Sequence, residues 1–398
     1  YFLGEGHRDV FAPGRPSLSG GLYGQEPGGW YRLFGLYIEG SCVYVSVLEH
    51  ERPGVYSTYD ASAVVSAGQA TKVIGVAAKA AKGTEKEPVT VTGYTAGVEA
   101  FGEDAETPGM STILRLLFAN GASTVVAVRV AENGELADYQ AAFAALADQD
   151  VQILVCDSAD VTVQQALRTA VEEASASRRE RIAVVGGNGE SAEKLVERAA
   201  QLNSERMVLV GPDALDSAGE TISGVFMAAA VAGVIASNRD PAVPLNGAEV
   251  KGLGGVAQTY SDNEVDLLVR GGVTPMESVA GVLSPIRGIT TRTTTGEAAN
   301  TTWRELTTIL IVDDLIPSVR NSLRSKFTRT KNTAQTRSAI RSQVIVELEK
   351  KKKAEIIDEY GDVTVTASED DPTVCLVEFS FAVAHGLNQI YLTVHITV

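Results

Sequence analysis

The sequence predicts an α/β fold: a doubly wound central domain followed by an α+β domain. Two observations carry the first part. Between Thr124 and Ser237, short Val/Ile-rich runs alternate with amphipathic helical stretches. Those runs lack polar alternation, as expected for strands covered by helices on both faces. A third observation carries the second part: after Thr302 two long helical patterns are followed by period-two strands.

Residues 1–46 differ in kind from the rest. Ten Gly, three Pro and no Lys, without clear periodicity, predict an irregular leader of uncertain status. Nothing there reads as a basic segment followed by an apolar secretion core. From residue 47 the text changes, Pro53-Gly54 marks a turn, and Val55–Tyr59 reads as a short extended piece. Residues 72–122 form a small β-rich segment leading into the central domain: strands at Lys72–Lys79 and Pro88–Gly93, then a helix at Met110–Ala119 with Ile113, Leu114, Leu117 and Phe118 on one side.

The central domain is assigned to 123–295. Thr124–Val130, Val151–Cys156, Arg181–Val185 and Met207–Val210 are its strands. Leu136–Ala147, Val163–Ser175, Ala192–Leu202 and Gly224–Ser237 are its helices. Leu253–Thr295, rich in Gly and Thr, reads as short strands and loops linking to the next domain.

Residues 296–388 are the C-terminal α+β domain. Thr302-Trp303-Arg304-Glu305 has capping-box spacing, and the helix it opens runs to about Phe327, with a kink expected at Pro317. Its apolar side is Leu306, Ile309, Leu310, Ile316, Leu323 and Phe327. A second helix spans Thr336–Lys353, with Ile340, Val344 and Leu348 on one stripe. Strands are expected at Val363–Ala367, Val374–Ala384 and Gln389–Val398. The last alternates Ile390, Leu392, Val394, Ile396 and Val398 with Tyr391, Thr393, His395 and Thr397, so one face is apolar. It either folds back on Val374–Ala384 through a His385–Asn388 turn or is lent to another subunit.

The chemistry is as informative for what it lacks. The four histidines are His7, His50, His385 and His395, so no Ser-His-Asp or Cys-His site can be assembled within 123–295. No His/Cys set has zinc-ligand spacing, and no catalytic, cofactor or metal residue is assigned. Three unpaired-looking cysteines, Cys42, Cys156 and Cys375, argue for synthesis in a reducing compartment. The longest apolar run, Gly224–Ala236, is shorter than the ~20 residues a membrane span needs. Gly187-Asn188-Gly189-Glu190-Ser191-Ala192 fits G-x-G-x-x-A between a strand and a helix, with Asp213 beyond the next strand. A nucleotide- or dinucleotide-binding enzyme is therefore the alternative reading, although Glu190 places a negative charge where a pyrophosphate would sit.

Charge is segregated. The chain carries −16, yet Val319–Lys353 holds eleven Lys/Arg against Glu347 and Glu349, a net +9 that leaves −25 elsewhere. Such a block suggests a charged partner or a solvated helical face. With no aromatic platform beyond Phe327, nucleic acid is a poor fit.

Several stretches resemble contractile tail sheath proteins of phages and phage-derived particles. They are Glu51-Arg52-Pro53-Gly54-Val55-Tyr56; Thr302 to Leu306 through Leu315-Ile316-Pro317-Ser318-Val319-Arg320; and Phe379–Ala384 through Ile390–Val394. The resemblance implies a central domain similar in fold to subtilisin but without its triad. It also implies that strand arms at 47–71 and 389–398 join neighbouring subunits. On that reading the arm residues are Val55, Tyr56, Tyr59, Tyr391, Leu392, Val394 and Ile396. The tube-facing candidates are Arg337, Arg341, Lys350, Lys351, Lys352 and Lys353. The implied partners are other copies in a helical sheath, a tail tube protein, a baseplate and a tail terminator, with no cofactor, no direct nucleic acid and no membrane insertion. The implied location is a virion tail or phage-like particle assembled in bacterial cytoplasm. The extra 1–46 stretch departs from the family pattern.

Overall fold

The computed structural model describes residues 72–104, 107–296 and 298–388 in full, together with the backbone of three earlier strands. Those strands, β1 (Leu22–Glu26), β2 (Gly29–Ile38) and β3 (Ser41–Leu48), make an antiparallel sheet in the order β1-β2-β3. They belong to a compact unit of their own, Tyr1–Val55. The irregular leader expected from composition is thus corrected. Glycine content masked a local pattern: Val43, Val45 and Val47 alternate, and the aromatic-rich run Trp30–Tyr37 favours extended backbone. The paired ends Glu26↔Gly29 and Ile38↔Ser41 each leave two residues between strands, the spacing of tight hairpins.

The second unit, Tyr56–Val398, opens its described part with β4 (Ile74–Lys79), β5 (Pro88–Val91), α1 (Tyr94–Phe101), α2 (Met110–Ala119) and β6 (Val125–Val130). There follow α3 (Leu136–Ala147), β7 (Ile153–Cys156), α4 (Val161–Ala176), β8 (Ile182–Gly186), α5 (Ala192–Leu202) and β9 (Met207–Gly211). The next elements are β10 (Ala214–Leu215), β11 (Thr221–Ile222), α6 (Gly224–Ser237), β12 (Gly255–Val256), α7 (Asp262–Arg270), β13 (Val273–Val279) and β14 (Val282–Pro285). After the short pair β15 (Thr294–Thr295) and β16 (Ala298–Ala299) come α8 (Leu306–Phe327) and α9 (Ala334–Lys353). Four strands close the described chain: β17 (Ile357–Tyr360), β18 (Thr364–Ala367), β19 (Cys375–Glu378) and β20 (Phe381–Val383).

An eight-stranded sheet in the order β14-β13-β9-β8-β7-β4-β6-β5 organises the unit. The six inner strands are parallel, and β14 and β5 add antiparallel edges. Helices α3, α4, α5 and α7 cover one face, burying Phe143, Leu146, Leu167, Leu195 and Leu268 against the strands. On the other face α6 lies against β4, β7, β8 and β9, with α2 packed over it. Sheet and helix together surround α6, which explains its near-uniform apolarity: Val225 through Gly233 are all buried. Its first turn presses on the end of β8, where a Cβ on Gly186 would stand 2.1 Å from the Gly224 carbonyl carbon. Only glycine permits that approach.

Four expectations are corrected. First, β4 lies mid-sheet, so 72–122 is part of the central sheet and does not merely lead into it. Second, Leu253–Thr295 is no mere linker: α7 and β13 add a further helix and parallel strand. The missed signal was the capping box Ser261–Glu264, in which the Ser261 amide donates to Glu264 Oε2 at 2.8 Å. Third, α8 begins at Leu306 with Glu305 as N-cap, three residues after the expected Thr302. The Glu305 carboxylate is taken by Arg287, and residues 303–306 bond to the 288–290 segment instead, with Leu306 N donating to Gly288 O at 3.1 Å. Fourth, the strand expected at Val374–Ala384 is two strands: β19 pairs with β18, and β20 pairs with β17. The expected strand Gln389–Val398 lies outside the described residues, as does Val55–Tyr59.

The C-terminal part is tied to the sheet by ion pairs from α8. Arg206, at the entry to β9, grips Asp313 through both amino nitrogens, at 2.8 and 3.0 Å. Arg320 grips Glu180 ahead of β8 at 2.6 and 3.3 Å. Both arginines are nearly excluded from solvent, with side chains 3% and 10% exposed. Bidentate geometry fixes the helix in orientation as well as position. Pro317 sits between the two clamps and supplies no amide hydrogen to the helix.

Replacing Asp313 by Ala should cost about 3–5 kcal/mol, because Arg206 stays buried without its counter-charge. The double variant Arg206→Met/Asp313→Leu should recover most of that loss. Urea unfolding of the three proteins measures both.

Candidate functional site

The basic segment was the leading surface in the sequence, and its geometry is set by α9. Thr333 caps this helix by accepting the Thr336 amide at 3.2 Å. Lys350 to Lys353 fill its last turn, where cations oppose the negative end of the helix dipole. At 1.5 Å per residue, Arg337 and Lys353 are roughly 24 Å apart along the axis, so the six candidates do not form one cluster.

Most of them bind other parts of the same chain. Arg337 donates to Asn332 Oδ1 at 2.8 Å, and Asn332 in turn donates to the carbonyls of Pro372 and Val374 at 2.9 and 3.1 Å. Arg341 Nε donates to the Val363 carbonyl at 2.7 Å. The two arginines thus hold the β18–β19 hairpin against α9. Lys351 is 8% exposed, and burial pushes its ammonium below the usual lysine range. Lys350 pairs with Glu347 at 2.9 Å while its side chain stays 61% exposed. Lys352 Nζ lies 5.9 Å from the centre of the Tyr360 ring. The exposed cations of the last turn are therefore Lys350, Lys352 and Lys353, and Lys351 drops out of the surface.

A polar seam joins α8 and α9 beneath them. Glu347 Oε1 accepts from Ser322 at 3.0 Å and from Gln343 at 2.8 Å, and Lys326 donates to Gln343 Oε1 at 2.5 Å. Burial alone would raise the Glu347 carboxyl, but hydrogen bonds from Lys350, Ser322 and Gln343 outweigh it and leave the group below its ordinary value.

Next to this seam the fold leaves pairing capacity open. Among the described residues β17–β20 and β18–β19 are each two-stranded, so every one of these strands has one partnered edge. Strand β17 was missed in the sequence because Ile357-Asp358-Glu359-Tyr360 is too short and too acidic to read as a strand. The arm residues Val55, Tyr56, Tyr59, Tyr391, Leu392, Val394 and Ile396 all lie outside the described residues.

The nucleotide reading fails on occupancy. At the Gly187–Ala192 turn, Asp213 Oδ2 accepts the Gly189 amide at 2.6 Å and its Oδ1 accepts the Gly224 amide at 2.9 Å. The carboxylate therefore occupies the backbone donors that a phosphate would use. Glu190 is held by Arg198 at 2.8 and 2.9 Å. A cavity of about 430 Å³ does lie where open α/β sheets bind ligands, past the ends of β4 and β7 on either side of which the chain order diverges. It is bordered by Lys79, Glu135, Tyr139, Asp157, Asp160 and Ser223. Asp157 there accepts the Tyr139 hydroxyl at 2.5 Å and the Lys79 amide at 2.9 Å. Burial pushes both the Asp157 carboxyl and the Tyr139 phenol upward. The group is internally satisfied, and no His/Cys/Asp/Glu cluster of metal-binding type occurs among the described residues.

Residues 134–291 match the phage tail sheath protein central domain, and residues 298–397 match the phage tail sheath C-terminal domain. Together these cover well over half the chain. It belongs to the phage tail sheath protein family. A curated relative, the tail sheath protein of Bacillus phage SP01, is 30% identical over 252 residues, 62% of this chain. The chain spans 43% of that relative's length. Solved structures show the same fold at low identity. One, from the baseplate of the anti-feeding prophage, has a TM-score of 0.68 at 14% identity, covering 88% of this chain and 100% of its own. The contracted helical sheath of the same particle gives 0.65 at 14%, covering 87% and 99%. A sheath tail protein from Listeria innocua gives 0.66 at 12%, covering 81% and 94%. The family is one of structural proteins and not of enzymes, which fits the self-occupied turn at Gly187.

Two outcomes are expected. Glu347 has a depressed carboxyl, so its stabilisation is present above the unfolded value of 4.5 and is lost as pH falls through the folded one. The melting-temperature advantage of the native chain over Glu347→Gln should therefore shrink as pH drops below 4.5. Calorimetric titration with NAD or ATP should give no binding heat, because Asp213 already fills the donors.

Proposed function

We propose that this chain is a structural subunit of a contractile sheath, polymerising around an inner tube and shortening to drive that tube through a cell envelope. The observation that carries the reading is the pair of family matches, central and C-terminal, on one chain. The fold shared with a contracted helical sheath supports it. The subtilisin-like character of the central domain is part of the same proposal, supported by its parallel sheet and by the absence of histidine between His50 and His385.

Copies join through strands. The period-two segment Gln389–Val398 and the stretch around Val55–Tyr59 supply arms, and the open edges of the β17–β20 pair are suitable acceptors. Five backbone hydrogen bonds at ~1 kcal/mol each would give ~5 kcal/mol per arm, repeated at every subunit. The exposed Lys350, Lys352 and Lys353 face an acidic tube surface. Baseplate and terminator proteins cap the sheath, within a virion tail or phage-like particle built in bacterial cytoplasm.

Deleting residues 389–398 should leave a folded monomer that forms no sleeves under negative-stain microscopy. Sleeves from that truncation would remove the arm assignment. Reversing the charge of Lys350, Lys352 and Lys353 should weaken co-assembly with the tube, most strongly at low salt. An unchanged, salt-independent yield would return these lysines to a merely solvated helix end.

A further inference from the structure

Lys72 and the Gly386–Asn388 segment lie more than three hundred residues apart in sequence, yet one short stretch holds both. At the first, Lys72 Nζ donates to the carbonyls of Ile235 and Asn238, at 3.2 and 3.0 Å. This caps the C-terminus of α6, where a cation is electrostatically favoured. Burial lowers the ammonium's pKa, and attraction to the carboxylates of Asp314, Asp240 and Asp313 offsets part of that. At the second, Asn246 Nδ2 donates to Asn388 Oδ1 at 2.8 Å. The backbone of Gly386 runs so close to Pro244 that an added Cβ would meet its ring at 2.9 Å.

The stretch between these anchors is itself cross-braced. Asn238 Nδ2 donates to the Val243 carbonyl at 3.3 Å, and its Oδ1 accepts the Asp240 amide at 3.3 Å. Asp240 Oδ1 accepts the Ala242 amide at 2.9 Å. Gly247 N donates to Pro285 O at 2.9 Å, and Leu245 is buried. Foundation comes from α6, the helix enclosed between sheet and α2.

We infer that the loop 238–246 is a shared seat for the Lys72 segment and the Gly386–Asn388 segment, so that displacing one shifts the other through this loop and not across the sheet. Coupling of this kind must be reciprocal. It is a property of the folded chain alone. If the arm proposal holds, each subunit passes load from one arm to the other through nine residues, leaving the α/β sheet unstrained.

Amide hydrogen exchange on the full chain tests it. In Lys72→Met, the amides of Ala242, Gly247 and Ala384 should exchange at least about fivefold faster, the low end of typical coupling, while those of β8 and β9 keep native rates. In Asn246→Ala, the Val73 amide, which donates to Gln152 Oε1 at 2.9 Å, should exchange faster in turn. Native rates at Ala384 and Gly247 in the first variant would overturn the inference. So would equal acceleration of β8 and β9, which would signal global loosening. Should Lys72→Met fail to fold, the Val73 rate in Asn246→Ala decides alone. Sleeve formation is a separate readout, so failure here leaves the assembly proposal standing, and the reverse.

Discussion

The fold depends on the clamps that fasten α8 to the sheet. Along the body of α8, Arg206–Asp313 and Arg320–Glu180 add direction to an apolar contact that by itself fixes distance better than orientation. With them, α9 inherits a defined orientation from α8 through the Ser322–Gln343–Glu347 seam. The β18–β19 hairpin then inherits its own from α9, through Arg337, Asn332 and Arg341. Buried ion pairs contribute little net stability and much positional specificity when every partner is satisfied. On the proposed strand-mediated assembly, the second matters more than the first.

The central domain was legible in the sequence because its signals are local and redundant. Helices α3, α5 and α6 were placed with the residues that the structure shows, and α2 likewise, since apolar periodicity and strand spacing agreed. Errors arose where a tertiary contact overrode a local one. Thr302–Glu305 has the spacing of a capping box, but Arg287 claims the Glu305 carboxylate and shifts the helix start. The apolar stretch around Phe379–Phe381 looks continuous, yet Ser380 O accepts the Gly361 amide at 2.7 Å and the two halves join different sheets. The leader's strands were hidden by averaging: ten glycines over 1–46 outweighed the valine alternation at its end.

The basic segment shows why counting charges does not define a surface. Eleven cations on one stretch suggested a patch, but periodicity cannot say which carbonyls lie near a guanidinium. Arg337 is spent on the Asn332 side chain, Arg341 on the Val363 carbonyl beside the hairpin, and Lys351 is folded under the helix end. The same limit applies to the glycine-rich turn. Its sequence is compatible with phosphate binding, and only the position of Asp213 shows that the chain supplies the anion itself.

Strand order has a consequence for synthesis on the ribosome. After β4 and β6 pair, β7, β8, β9 and β13 each add to the growing edge in the order in which they emerge, so the parallel sheet can assemble as the chain lengthens. The clamp is different: Arg206 and Asp313 are 107 residues apart, roughly 5–20 s of translation. During that interval the flank of the sheet that α8 later covers faces water, and water stands in for Asp313 at Arg206. Closure of the pair then seals that flank, so this long-range polar contact of the sheet waits on α8.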